Sequence, residues 1–205
     1  MLELSVAILA GGKSSRMGVD KAFLKINGVP FIKIIYDKAS ALSDDVMVII
    51  GNKKSEEFRR YLPSQATILN DLFYTMSPVG GLITAAFKSK YQYFVALAVD
   101  MPLINPKVVE RLYFRAKGRS AAVPVLKDGT AETLCAVYNT SEVKKINPYS
   151  ISSLRELVNL LPNPVFVSAE AFIDVDPNLD SFFNVNTKGD LEILFKKFGN
   201  NVSSG

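Results

Sequence analysis

LAGGKSSRMGVDK, residues 9–21, decides how this chain is read. It follows directly on the apolar run of residues 4–9 and turns a short buried strand into glycines, hydroxyls and cations. An α/β protein holds a phosphate chain in this way: Gly11 and Gly12 let backbone N–H groups approach an anion, and Arg16 and Lys21 bring charge to its oxygens. On the glycines alone, Gly11, Gly12 and Gly18 would only shape a strand-to-helix turn, with Lys13, Arg16 and Lys21 solvated. A rival reading takes AILAGGKS, residues 7–14, as a degenerate Walker A with alanine for its first glycine and residues 95–100 as its Walker B strand, which makes Lys13 the essential lysine. Its geometry is poor, because Ile8 and Leu9 continue the strand where a P-loop should already wrap the phosphate.

Composition narrows the field. With 205 residues, 48% of them apolar, one compact domain over residues 1–198 is expected, with a loose tail at 199–205. Lysine and arginine total 24 against 20 aspartate and glutamate. The resulting charge of +4 is too mild and dispersed to argue for nucleic acid, and it suits a small anionic substrate. No apolar run approaches the roughly 20 residues of a membrane span, and MLELSVAIL has the pattern of a strand and not of a signal peptide, so a soluble, cytoplasmic protein is expected. The single Cys135 excludes an internal disulfide and a cysteine metal cluster. Histidine is absent, which removes the usual general base and the commonest zinc ligand. Chemistry must rest on carboxylates, amides, cations or a hard metal.

Four strand-then-helix units are expected in the first 117 residues. The pattern places strands at 4–9, 45–51, 66–69 and 91–99, and helices from Pro30 to about 42, at 55–61, from Pro78 to about 88 and, after Asn105-Pro106, to 116. Residues 22–26 are taken as extended, ahead of an Asn27-Gly28 turn. Residues 120–126 and 132–138 flank a KDGT hairpin signal, so antiparallel strands join in the second half. Ser150 or Ser152 is expected to cap a helix to Leu161, followed by a short strand at 165–168 and a C-terminal helix at 188–198. The fold class is α/β, three-layered and Rossmann-like: a mostly parallel central sheet with helices on both faces and an antiparallel addition. In such sheets ligands lie outside the carboxyl ends of the strands, where Gly11, Asn52, Asp71 and Asp100 all fall.

Asp100 ends a hydrophobic strand, where a carboxylate has no packing role. It can take Mg²⁺, which is commonly bound by one or two carboxylates and substrate phosphates; taken alone, it can equally cap or turn the chain.

The run LAGGKSSRMGVDKAFL, residues 9–24, closely resembles the signature LAGGxSxRMGxDKxxL of nucleotidyltransferases of the molybdenum cofactor type, most strongly the guanylyltransferases called MobA-type. The resemblance runs through five ordered blocks over nearly the whole chain. VDMPLI, residues 99–104, resembles a strand followed by DxPxL, which assigns Asp100 to metal. Asp71 and the helix start SPVGGL, residues 77–82, resemble a nucleotide-contacting aspartate ahead of GPLxGL, with serine at the first glycine. Asn52 matches an asparagine that contacts the nucleotide. FNVNT, residues 183–187, with Asp190 and Leu191, resembles FxNxNTPEDL, but Lys188-Gly189 replaces Pro-Glu and is expected to loosen the helix cap; Asn184 or Asn186 would reach metal or acceptor. AETLCAVY, residues 131–138, resembles EPLxAxY, with Thr133 in place of proline.

This resemblance implies transfer of GMP from GTP to the phosphate of molybdenum-bound molybdopterin, with pyrophosphate released and Mg²⁺ as cofactor. It implies that Arg16, Lys21 and Asp100 are catalytic and that Leu9, Ala10, Gly11, Gly12, Lys21, Asn52, Asp71 and Asp100 bind nucleotide. It also implies the enzymes of the molybdenum cofactor pathway as partners. A sibling using CTP or another phosphorylated acceptor, a P-loop NTPase and a non-catalytic nucleotide sensor are the alternatives.

Overall fold

Alternation within the strands explains the architecture. In the computed structural model, which describes residues 1–12, 20–73, 75 and 77–198, strand β1 (Ser5–Leu9) sends Val6 and Ile8 to one face of a sheet and Ala7 to the other, and all three are fully buried. Strand β6 (Tyr93–Ala98) repeats this, with Val95 and Leu97 on the first face and Phe94 and Ala96 on the second. A strand apolar on both faces is stable only where helices cover both, which is the rule for a parallel sheet.

The covering helices divide accordingly. The first face is packed by α1 (Phe31–Leu42), α2 (Ser55–Arg59) and α4 (Pro106–Ala116); the second by α3 (Val79–Lys88), α5 (Thr140–Lys144) and α6 (Leu154–Leu160). The remaining sheet strands are β4 (Val46–Ile49), β5 (Thr67–Leu69), β7 (Ala121–Val125), β8 (Cys135–Asn139) and β9 (Val165–Ser168), and a separate two-residue ladder joins β2 (Lys25–Ile26) to β3 (Val29–Pro30). The last helix is α7 (Lys188–Phe198), whose Leu194 shares a small core with Leu24, Phe31 and Val185.

Among the described residues the sheet has seven strands in the order β5-β4-β1-β6-β8-β7-β9. Strands β5, β4, β1 and β6 are parallel neighbours, and β8 runs antiparallel to both β6 and β7. The three-layer α/β expectation therefore holds. Cys135 is buried in β8, and burial pushes its thiol well above the usual range. No helix among the described residues is long and apolar enough to cross a membrane.

Several local expectations are corrected. Residues 22–26 do not begin as an extended piece: Lys21–Phe23 form a 3-10 turn, because the Asp20 carboxylate accepts the Ala22 N–H at 3.0 Å. Helix α1 starts one residue after Pro30, which with ψ at 147° belongs to the β3 ladder. Neither Ser150 nor Ser152 caps α6. Ser153 does, since the residue three positions on is Glu156: the Ser153 hydroxyl accepts the Glu156 N–H, and the Glu156 carboxylate accepts the Ser152 N–H at 2.7 Å. The KDGT hairpin exists, but β7 and β8 pair only at Ala121 with Tyr138 and Ala122 with Val137. Nearer the turn the two chains meet again, with Val125 bridging Ala131 and the Pro124 carbonyl accepting the Glu132 N–H at 2.9 Å, so the residues between Glu132 and β8 form an extra excursion at the sheet edge.

Candidate active site

Because β5, β4, β1 and β6 are parallel, their carboxyl ends lie on one edge, and β8, being antiparallel, brings its amino end to that same edge. The two glycines after β1 have different tasks there. A Cβ on Gly11 would lie 2.8 Å from the Gly51 nitrogen and 2.9 Å from its Cα, so Gly11 is needed where the ends of β1 and β4 touch backbone to backbone. Gly51 supports this turn with φ at +61°, a left-handed conformation that suits glycine. Among the described residues a Cβ on Gly12 would meet nothing within 4 Å, and Gly12 is exposed at this edge. Leu9 and Ala10 are locked beside it: the Leu9 carbonyl accepts the Val99 N–H at 3.1 Å, and the Ala10 N–H donates to the Ile49 carbonyl at 2.7 Å. Arg16 and Lys13 lie outside the described residues.

Lys21, Asp100 and Asn186 meet. The 3-10 turn capped by Asp20 aims the Lys21 ammonium at Asp100 Oδ2, 2.8 Å away, and at Asn186 Oδ1, 2.6 Å away. Asn186 is brought there by backbone pairing, since the Asp100 carbonyl accepts the Val185 N–H at 2.9 Å. The Lys188-Gly189 departure does not loosen the helix cap: Asp190 Oδ2 accepts the Asn186 and Thr187 N–H groups at 2.9 and 2.7 Å, and Thr187 Oγ1 accepts the Asp190 N–H at 3.1 Å. Asp190 supplies the acidic half of the capping box, one residue beyond the Pro-Glu position.

Asn184 turns elsewhere: its amide donates to the Phe182 carbonyl at 3.5 Å and lies beside the Glu132 carboxylate, in the segment ahead of β8. Burial holds Glu132 above the ordinary carboxylate range; the Asn184 hydrogen bond pulls it back, while the charges of Asp100 and Asp128 push it further up. Glu132 had no role in the sequence reading, although its block was singled out for Thr133.

Asp71 occupies the other flank of the edge. Its backbone N–H donates to the Gly51 carbonyl at 3.3 Å, and the Asn70 side chain holds that same carbonyl at 2.8 Å. Its Oδ1 is buried without a hydrogen-bond partner among the described residues, a costly arrangement that a ligand donor would relieve. Burial raises its carboxyl above the usual value, against the Gly51 backbone amide, which lowers it. Asn52 is exposed on the turn between β4 and α2. Lys53, beside it, was not anticipated: it donates to the Ala10 carbonyl at 2.6 Å and pairs with Asp20 at 2.6 Å.

An open α/β sheet whose carboxyl edge gathers a glycine turn, a lysine–aspartate pair and amides defines a nucleotide-handling protein of the doubly wound class. The family model of the MobA-like NTP transferase domain matches residues 6–165, and the chain belongs to that family. A probable molybdenum cofactor guanylyltransferase from Methanothermobacter thermautotrophicus is 34% identical over 194 residues, covering 92% of this chain and 98% of that protein. One from Thermococcus gammatolerans is 32% identical over 200 residues, covering 93% and 98%. The crystal structure of molybdopterin-guanine dinucleotide biosynthesis protein A from Archaeoglobus fulgidus is similar with a TM-score of 0.80 at 27% identity, over 95% of this chain and 98% of that one. Family membership sets aside the Walker A reading.

Proposed function

We propose that this chain transfers GMP from GTP to the phosphate of molybdenum-bound molybdopterin and releases pyrophosphate. The observation that carries this is the meeting of Lys21, Asp100 and Asn186 beyond the carboxyl ends of β1 and β6, with Gly12 opening beside them. An acceptor phosphate oxygen attacks the α-phosphorus; the new bond forms there as the bond to the bridging oxygen breaks, and that oxygen leaves with the pyrophosphate. The acceptor is already an anion at neutral pH, so the step needs in-line placement and charge neutralisation more than a base. A chain without histidine can meet that demand.

The chain's groups divide this work. Lys21, with Arg16 on the sequence reading, neutralises the triphosphate, and the amides following Leu9 and Ala10 track its oxygens. Asp71 and Asn52 flank the nucleoside side of the edge, where the unpartnered Asp71 oxygen can accept a ligand N–H or O–H. Asn186 shares the Lys21–Asp100 site, and Asn184 with Glu132 faces the acceptor side. Mg²⁺ suits the hard oxygen donors here, the Asp100 carboxylate with the Asn186 amide oxygen, and when bound it would supply charge stabilisation to the departing pyrophosphate.

The test is a nucleotide panel with Mg²⁺ and a molybdopterin acceptor, read as pyrophosphate release. Acceptor-dependent release from GTP, well above that from CTP or ATP, is expected. Equal release with CTP moves the assignment to a cytidylyl sibling. Binding without turnover makes the chain a sensor.

A further inference from the structure

We infer that Lys53 is a positioning residue for the turn that carries Lys21, a role that rests on the nucleotide-binding reading above. Ala10 and Asp20 stand at either side of the glycine-rich segment, and the one ammonium of Lys53 reaches both, donating to the Ala10 carbonyl at 2.6 Å and to Asp20 Oδ2 at 2.6 Å. It ties the chain before the glycines to the chain before Lys21. The other oxygen of Asp20 accepts the Ala22 N–H at 3.0 Å and so starts the turn that carries Lys21. Lys21 then reaches Asp100 on the far side. Since β4 and β6 flank β1, the consecutive residues Asp20 and Lys21 straddle the central strand, one held from the β4 side and the other from the β6 side.

An exposed lysine–carboxylate pair contributes little, because water competes for both charges. This pair is different in kind: the two side chains are only 22% and 23% exposed, and the ammonium also bonds a carbonyl and lies 5.9 Å from the centre of the Phe58 ring. Lys54, the next residue, is exposed, so the chain directs one lysine of the two towards Ala10 and Asp20. Lys53 therefore acts on the nucleotide through Asp20 and the Lys21 turn, with no contact of its own required.

Lys53→Met keeps the stem beside Phe58 and removes the ammonium; Asp20→Asn keeps an acceptor oxygen for Ala22 and removes the charge. In the nucleotide-free protein, hydrogen exchange at the Ala22 amide should quicken by about tenfold in Lys53→Met, the scale of one lost charge-assisted bond. With GTP, Kd and KM should rise about tenfold while kcat at saturation changes far less, and Lys53→Arg should recover much of the affinity. The double variant should be no worse than the worse single one. Additive losses would mean that Lys53 touches the triphosphate directly and would overturn the role, as would unchanged exchange at Ala22. If the wild-type chain binds no nucleoside triphosphate, the nucleotide reading fails, and the exchange measurement still decides the role of Lys53 in holding the turn.

Discussion

Gly80 and Gly81 are adjacent in the first turn of α3, and the same added methyl should move stability in opposite directions at the two positions. At Gly80 a Cβ would lie 2.4 Å from the Phe73 carbonyl oxygen and 2.9 Å from Thr75 Oγ1, where ordinary contact begins at 3.4 Å. Phe73 and Thr75 have little room to retreat: Thr75 Oγ1 accepts the Gly80 N–H at 3.0 Å and donates to the Ser77 carbonyl at 2.8 Å, and the Leu72 N–H donates to Thr84 at 2.9 Å. Overpacking of this kind costs about 1–3 kcal/mol. A strained hydrogen bond adds about 1 kcal/mol, while replacing a helical glycine with alanine returns about 0.5–1 kcal/mol. The net loss is about 1–3 kcal/mol, and in a chain of this size each kcal/mol moves Tm by about 2–4 °C. At Gly81 the nearest atoms are Leu9 Cδ2 at 3.5 Å, Asp71 Oδ1 at 3.6 Å and Ile49 Cγ2 at 3.7 Å, all ordinary contacts. Gly81→Ala should therefore keep the helix gain and melt about 2 °C higher. Its methyl, however, covers the unpartnered Asp71 oxygen, so GTP affinity should fall about tenfold, a gain in stability set against function. Thermal melts of both variants with GTP titrations check this. A Gly80→Ala protein that melts at or above the wild type refutes the packing argument, and undiminished GTP binding by Gly81→Ala refutes the role given to Asp71.

Lys21→Ala should lower turnover by at least about tenfold, because a charge-assisted partner of the triphosphate is lost, while Lys13→Ala should cost much less; steady-state rates with the ranking reversed would favour a Walker-type arrangement. Asp100→Asn should abolish most activity and blunt the Mg²⁺ dependence together, and full activity in EDTA would rule the metal role out. Glu132→Gln tests pH linkage. The native carboxyl is held up by burial, so the stability linked to its proton is complete below the ordinary carboxylate pKa and is lost as pH rises through the raised native value. The variant should therefore unfold at higher urea than the wild type at pH 7, with the difference closing in acid below the ordinary value; a gap that widens on acidification contradicts this.

The central strands were legible because their burial leaves a local mark. Val95, Ala96 and Leu97 must be apolar in succession when both faces of β6 are covered, and that run is visible without knowing its neighbours. The position of β8 left no such mark. The KDGT signal announces the pairing of residues 132–138 with β7, but their place beside β6 depends on Leu97 meeting Cys135, a pairing between segments far apart in the chain. The turn at Lys21–Phe23 was misread for a smaller reason. Asp20 had no role in the sequence reading, whereas its carboxylate caps the turn by accepting the Ala22 N–H.

At the site, residues that end strands could be recognised because one topological rule sends them all to one edge: Gly11, Asn52, Asp71 and Asp100 needed only their strand to be identified. What each does there depended on contacts that no local pattern records. Gly11 and Gly12 are the same residue type in succession, yet one is packed against Gly51 and the other opens to solvent, a difference set by how closely β4 passes β1. Lys53 and Lys54 look alike ahead of a charged helix, and Lys53 gains its place only because the turn after β4 stands opposite the end of β1. Glu132 gains its own because an antiparallel strand delivers its amino end to the edge where parallel strands deliver their carboxyl ends. The charges most informative about this site therefore lie where sequence separation is large and sheet distance is one strand. A search of an α/β sequence for site residues should take the ends of every predicted strand, and test both ends of any strand expected to run against the rest.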